Sequence, residues 1–200
     1  MAADVGDADP AGRPLWYVSY GSNLFAARFA CYLAGGRAPG ARWTNPGARD
    51  ATPATGDRRI DLDHALVFGG PSHTWDGGPA YLDLVTPGHS VGRGWRMMHE
   101  QFEDLVAQEN KLEPGAVTVS DALLHEGGVV VPDARYGRLV PLDEVEGEPA
   151  VTFTYIDRPH ERAPDPAYVS LLERGLVELG LELGEARAML RSQPQLADHD

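Results

Sequence analysis

Leu15-Trp16-Tyr17-Val18-Ser19-Tyr20 runs directly into Gly21-Ser22-Asn23-Leu24, and the change of pattern at Tyr20 organises the reading of the chain. The first six residues are aromatic and β-branched, with enough alternation for a strand. Beyond the glycine, residues 24–34 are helical in pattern and close on Gly35-Gly36. A glycine at such a junction lets the backbone turn tightly and approach a ligand. The amides that follow can donate hydrogen bonds to an oxygen bearing negative charge. An ordinary helix start, with Ser22 or Asn23 as N-cap, fits the same residues.

Outward from this junction, residues 37–59 carry Pro39, Pro46 and Pro53 and read as a long loop, a kind that is often functional. Strands are predicted over 62–68, 80–85 and 91–98, with Gly77-Gly78 and Pro87-Gly88 as the turns between them. A helix over 99–110 ends before Pro114-Gly115. Further strands are predicted over 117–124, 135–140 and 150–155, and helices over 166–179 and 185–190. Many short strands with few helices do not make a βαβ alternation, which points to an antiparallel or mixed sheet, open or closed. The expected organisation is one domain over 15–191, a disordered tail over 1–14 and a frayed tail over 192–200.

In the helix over 99–110, Phe102, Leu105, Val106 and Glu109 fall at i, i+3, i+4 and i+7, one face of an α-helix. Three of the four are apolar, so Glu109 is expected to project inward while Glu100, Glu103 and Asp104 reach solvent. A carboxylate withdrawn from water ionises less readily, which suits a group that moves protons near neutral pH. A helix-end glutamate that reaches water or pairs with an arginine satisfies the same periodicity. Tyr168 shares a helical face with Leu171, Leu172 and Leu176, and so is expected to be buried with its hydroxyl hydrogen-bonded.

The 200 residues carry a formal charge of −13, which disfavours nucleic-acid backbone and anionic membrane surface as partners. No apolar run approaches the length that crosses a bilayer, and the acidic start lacks the pattern of a signal peptide, so cytoplasm is the expected location. Lys111 is the only lysine, and the richness in Ala, Gly, Pro and Arg fits a GC-rich genome. The single cysteine, Cys31, rules out an internal disulfide and reads as a small packed hydrophobe. No His-x-x-x-His pair is present, and His73 and Asp76 lack a third ligand in view, so no metal site is expected. Ser22 lacks the Gly-x-Ser-x-Gly elbow of a serine hydrolase.

Taken together, the motifs resemble the γ-glutamylcyclotransferase family. Tyr20-Gly21-Ser22-Asn23-Leu24 resembles its signature loop, Phe68-Gly69 and Thr74-Trp75-Asp76-Gly77-Gly78 its strand and glycine turn, and Gly94-Trp95-Arg96-Met97 the strand before its catalytic helix. Gln108-Glu109 falls where the family carries its catalytic glutamate, although Asn110 stands where a glycine is often found. Pro164-Asp165-Pro166-Ala167-Tyr168 resembles a proline-rich opening of a helix bearing an active-site tyrosine. The resemblance spans about residues 15–190. It implies an α+β fold, a small mixed, mainly antiparallel β-barrel flanked by helices. It also implies an enzyme that releases 5-oxoproline and an amine from a small-molecule γ-glutamyl substrate without cofactor. Glu109 would be its catalytic acid/base, and Tyr20, Gly21, Ser22, Asn23, Leu24 and Tyr168 would bind substrate. Arg37, Arg42, Arg49, Arg58 and Arg59 make the long loop basic, and one or two of them are expected to reach an acidic part of the substrate. A specialised γ-glutamyl amine or biosynthetic deprotection substrate, or a non-catalytic binding domain, is the alternative on the same fold.

Overall fold

The computed structural model describes residues 12–38, 41–70 and 77–196. Residues 1–11 of the expected disordered tail, His73, and Thr74-Trp75-Asp76 of the glycine-turn motif lie outside the described residues, as do 197–200.

The strand before the Gly21 junction, β1 (Pro14–Ser19), lies in the middle of the sheet. It pairs antiparallel with β3 (Ala80–Met98), from Pro14 opposite Met98 to Ser19 opposite Arg93. On its other side it pairs parallel with β6 (Glu148–Thr154). With β2 (Gly56–Phe68), β4 (Gly128–Val129) and β5 (Arg138–Val145), the order is β2-β3-β1-β6-β5-β4. The sheet is mixed and mainly antiparallel, as expected, but it is not closed, so the barrel is corrected to an open sheet. Between β2 and β5 runs a groove bordered by Asp61 and Asp63 on one lip and Asp143 and Glu144 on the other.

The two-residue period of β1 divides the core. Trp16, Val18 and Tyr20 face one cluster, filled by Leu172 and Leu176 of α4 (Pro166–Glu178) and Leu190 of α5 (Leu183–Arg191). Leu15 and Tyr17 face the other, filled by Phe29 and Leu33 of α1 (Ala26–Ala34), Phe102 and Leu105 of α2 (His99–Glu109) and Leu124 of α3 (Asp121–Glu126). Both faces of the sheet are therefore covered.

Three expectations change in detail. The predicted strands over 80–85 and 91–98 are one continuous strand, and Pro87-Gly88 sits at an irregularity opposite His64 rather than in a hairpin turn. A proline is tolerated where the ladder is already interrupted. The predicted strand over 117–124 is instead an extended approach to α3. Val117 and Val119 are buried as a strand pattern requires, but the Ser120 side chain accepts a hydrogen bond from the Leu123 N–H at 3.3 Å and starts a helix. Finally, Gln193 and Leu196 are buried. The N–H groups of Leu66 and Phe68 on the edge strand β2 donate to the side-chain oxygens of Gln193 and Gln195, at 2.7 and 3.3 Å. The packed segment thus runs past residue 192 and covers an exposed sheet edge. Among the described residues no helix is long and apolar enough to cross a membrane.

Candidate functional site

After β1 the chain makes a single 3₁₀ turn, Ser22–Leu24, before α1 begins at Ala26. Neither Ser22 nor Asn23 caps a helix with its side chain. The turn is held from outside. Trp95 Nε1 donates to the Asn23 carbonyl at 3.0 Å, and Arg93 Nη1 donates to the Leu24 carbonyl at 2.9 Å. The Asn23 side chain, 4% exposed, is thereby turned toward the end of α2. There its Nδ2 donates to Glu109 Oε1 at 2.9 Å.

Glu109 is the last residue of α2, half-buried beyond the fully buried Phe102, Leu105 and Val106. It lines a pocket together with Tyr20, Gly21, Ser22, Asn23 and Tyr168. Six of the seven residues singled out in the sequence thus meet around one cavity. Leu24 is the exception. The helical turn rotates its side chain into the core against α4, where it is fully buried, so it does not line the pocket and its assignment to substrate contact is corrected.

Two close approaches fix this geometry. Gly21 lies under the Tyr168 hydroxyl, and a β-carbon there would stand 2.9 Å from that oxygen. The hydroxyl accepts a hydrogen bond from the Ala80 N–H at 3.1 Å. Burial pushes the Tyr168 pKa up to about 12, so the group remains a neutral phenol at physiological pH. Gly175 of α4 gives the second approach, where a β-carbon would come within 2.5 Å of the Leu24 backbone. Tyr20 donates its hydroxyl to the Phe153 carbonyl at 2.6 Å, and burial also raises its pKa.

Asn110, in place of the glycine that the resemblance favours, caps α2. Its Nδ2 donates to the Val106 and Tyr136 carbonyls at 3.0 and 3.1 Å, and its Oδ1 accepts from the Tyr136 N–H at 2.9 Å. The residue ties the 132–137 loop to the helix end and brings Tyr136 to the pocket wall. The left-handed turn comes one residue later, at Lys111, with φ +61°.

Sequence reasoning missed the rest of the wall. Arg28 and Tyr32 of α1 line the pocket, as do Tyr17, Lys111, Arg135 and Tyr136. The Arg28 guanidinium, 4% exposed, donates to Asn45 Oδ1 at 3.0 Å and to the Tyr32 hydroxyl at 2.7 Å, while its Nε has no partner among the described residues. A signal was available. Phe29, Tyr32 and Leu33 mark the buried face of α1, and Arg28 is a charge beside it. Burial pushes the Tyr17, Tyr32 and Tyr136 hydroxyls up as well, with the Glu109 charge adding to each. Lys111 is lowered, chiefly by desolvation, against the opposing pull of Glu109.

None of the five arginines expected in the long loop reaches the pocket wall, and Arg58 and Arg59 lie in β2 rather than in the loop. Arg49 donates from Nε to Asp104 and pairs with Glu100, while Arg58 pairs with Glu146 and Arg59 with Asp61. Arg37 donates to Thr44. For Arg49 the reason lies in Asp104, which is fully buried rather than solvent-facing as expected. Its carboxylate accepts from the Arg49 N–H and side chain and from the Gly115 N–H, so it fastens the long loop to α2. Among the described residues no group of three or more His, Cys, Asp or Glu side chains could hold a metal ion.

The sequence matches no protein-family model. It is 31% identical over 207 aligned positions to histone deacetylase 5 of Arabidopsis thaliana, covering 92% of this chain but only 31% of that protein. Among solved structures, a γ-glutamyl cyclotransferase aligns with a TM-score of 0.54 at 20% identity, over 89% of this chain and 87% of that one. An uncharacterized protein from Homo sapiens gives 0.54 at 22% identity, over 88% and 86% of the two chains. YkqA from Bacillus subtilis gives 0.52 at 18% identity, over 93% of this chain and 55% of that one. The chain therefore has a γ-glutamylcyclotransferase-like fold, a mixed, mainly antiparallel open sheet flanked by helices.

Proposed function

We propose that the pocket converts a γ-glutamyl compound into 5-oxoproline and a free amine. The hydrogen bond between Asn23 and Glu109 carries the reading, because it joins the signature turn and the inward carboxylate in one cavity. In the reaction the substrate's α-nitrogen attacks its own side-chain carbonyl carbon. A new C–N bond closes a five-membered ring, and the C–N bond to the leaving amine breaks. Two protons must leave the α-ammonium and two must reach the departing nitrogen. Glu109 takes and returns them, since one carboxylate oriented by Asn23 can serve both nitrogens.

The remaining pocket groups do what cyclisation needs. The Gly21–Asn23 amides stabilise the tetrahedral oxyanion, with the turn rigidly held by Trp95 and Arg93. Arg28 meets the α-carboxylate, as among the described residues its buried guanidinium donates only to the neutral groups of Asn45 and Tyr32. Tyr17, Tyr20, Tyr136 and Tyr168 pack around the γ-glutamyl chain, favour its folded shape and exclude water. The similarity to histone deacetylase 5 concerns less than a third of that protein and carries no deacetylase assignment.

The test is 5-oxoproline release from γ-glutamyl amino acids, γ-glutamyl amines and glutathione by the wild type and by Glu109→Gln. The wild type is expected to release it from at least one member, with a loss of about 100-fold or more in the variant. Full activity in Glu109→Gln would remove the proposed acid/base. No release from any member would point to a specialised substrate or to binding without turnover.

A further inference from the structure

The pocket's charge does not balance around a γ-glutamyl head alone. Among the described residues Glu109 is the one carboxylate residue on its wall, against the cations Arg28, Lys111 and Arg135. A γ-glutamyl head is a zwitterion. Its ammonium meets Glu109 and its carboxylate meets Arg28, the deeply buried cation. Setting Arg135 aside, this still leaves Lys111.

Lys111 is the only lysine of a strongly acidic protein. It sits at the left-handed turn just past Glu109, and its ammonium lies 4.5 Å from the centre of the Trp43 ring. No described carboxylate is within ion-pairing distance of it, although this chain supplies ion-pair partners to Arg49, Arg58, Arg59, Arg93, Arg96, Arg158 and Arg187. Trp43 belongs to the long loop and is 46% exposed, so the pair stands at the rim of the cavity. The loop whose arginines are turned away thus contributes the aromatic face on which the lysine rests. The rim is also where the leaving half of a substrate emerges once its γ-glutamyl head is seated beside Arg28.

We propose that Lys111, seated on Trp43, is a specificity-determining residue that selects a leaving amine bearing a carboxylate over its neutral counterpart. The assignment rests on the cyclotransferase reading of the same pocket. The ammonium contributes a charge-assisted hydrogen bond to the carboxylate, and salt weakens the preference because the rim is solvated.

Two substrates of nearly equal shape test it, γ-glutamyl-alanine and γ-glutamyl-alaninamide, with kcat/KM measured for 5-oxoproline release at low ionic strength. The wild type is expected to favour the acid by about two- to fivefold, the range for a partly solvated charge pair. Lys111→Gln should bring that ratio close to one, and Lys111→Arg should keep most of it. Calorimetric binding of both compounds to the wild type and to Lys111→Gln separates the two levels of inference. Turnover of both with no wild-type preference, or a preference that survives Lys111→Gln, overturns the Lys111 assignment and leaves the cyclotransferase reading standing. Acid-selective binding that depends on Lys111 but yields no 5-oxoproline overturns the reaction and keeps the carboxylate site. Neither turnover nor binding of either compound overturns both.

Discussion

Replacing Gly175 by alanine probes whether α4 sets the position of the Ser22–Leu24 turn. The added β-carbon would lie 2.5 Å from the Leu24 carbonyl carbon and Leu24 Cβ, and 2.7 Å from the Phe25 nitrogen. Ordinary contact needs about 3.5–4.0 Å, so helix and turn must separate by roughly 1 Å. Two of the three obstructing atoms are backbone, and the turn is already pinned by Trp95 and Arg93. Overpacking of this kind costs about 1–3 kcal/mol, against which alanine's helix propensity returns about 1 kcal/mol. The net loss is therefore about 0–2 kcal/mol, or a fall in Tm of up to roughly 8 °C for a chain of this size. Activity should suffer more than stability. A displacement of about 1 Å at a positioning element lowers the rate by about 100-fold. Thermal unfolding and 5-oxoproline release, measured on the same preparation, separate the two effects. Wild-type Tm together with wild-type kcat/KM would refute the claim that Gly175 fixes the turn.

Two other changes have calculable outcomes. Asn23→Ala removes the donor to Glu109 and should lower kcat/KM by about 10- to 100-fold, as expected for a lost hydrogen bond to a charged group of about 1.5–3 kcal/mol. Stability should move little in urea unfolding, because Asn23 Oδ1 is a buried acceptor without a partner among the described residues and its removal is a relief. Burial opposes ionisation of Asp83, but hydrogen bonds from Val85, Thr86 and Arg158 outweigh it and hold its pKa at about 2 rather than 3.8. A carboxylate with a depressed folded pKa stabilises the fold above its unfolded pKa, and that contribution is lost as pH falls from about 4 to about 2. It amounts to about 2 kcal/mol. Asp83→Asn should lose a similar amount at pH 7 and show a shallower acid limb in a stability–pH profile; an unchanged profile would contradict the assignment.

Period and turn chemistry made much of this protein legible in advance. The alternation of Leu15 to Tyr20 marks the central strand, and the spacing of Phe102, Leu105, Val106 and Glu109 places the carboxylate at the inward end of α2. What remained hidden depends on contacts between segments distant in sequence. Pro87-Gly88 looks like a hairpin turn locally, yet pairing with β2 carries the strand through it. Ser120 begins a helix in a stretch whose valines read as a strand. Asp104 reads as a surface acid until Arg49 and Gly115 bury it. The same contact turns Arg49 from the pocket, which is why counting arginines in the loop misplaced the cations. The cations that do line the pocket, Arg28, Lys111 and Arg135, come from outside that loop.

The central claim is that the reacting nucleophile belongs to the substrate and not to water. Turnover of a γ-glutamyl substrate in ¹⁸O-enriched water, with mass analysis of the products, tests it most directly. The account predicts one 5-oxoproline for each amine released, with no solvent oxygen in it and no free glutamate. Glutamate carrying one ¹⁸O would make the reaction a hydrolysis and contradict the account.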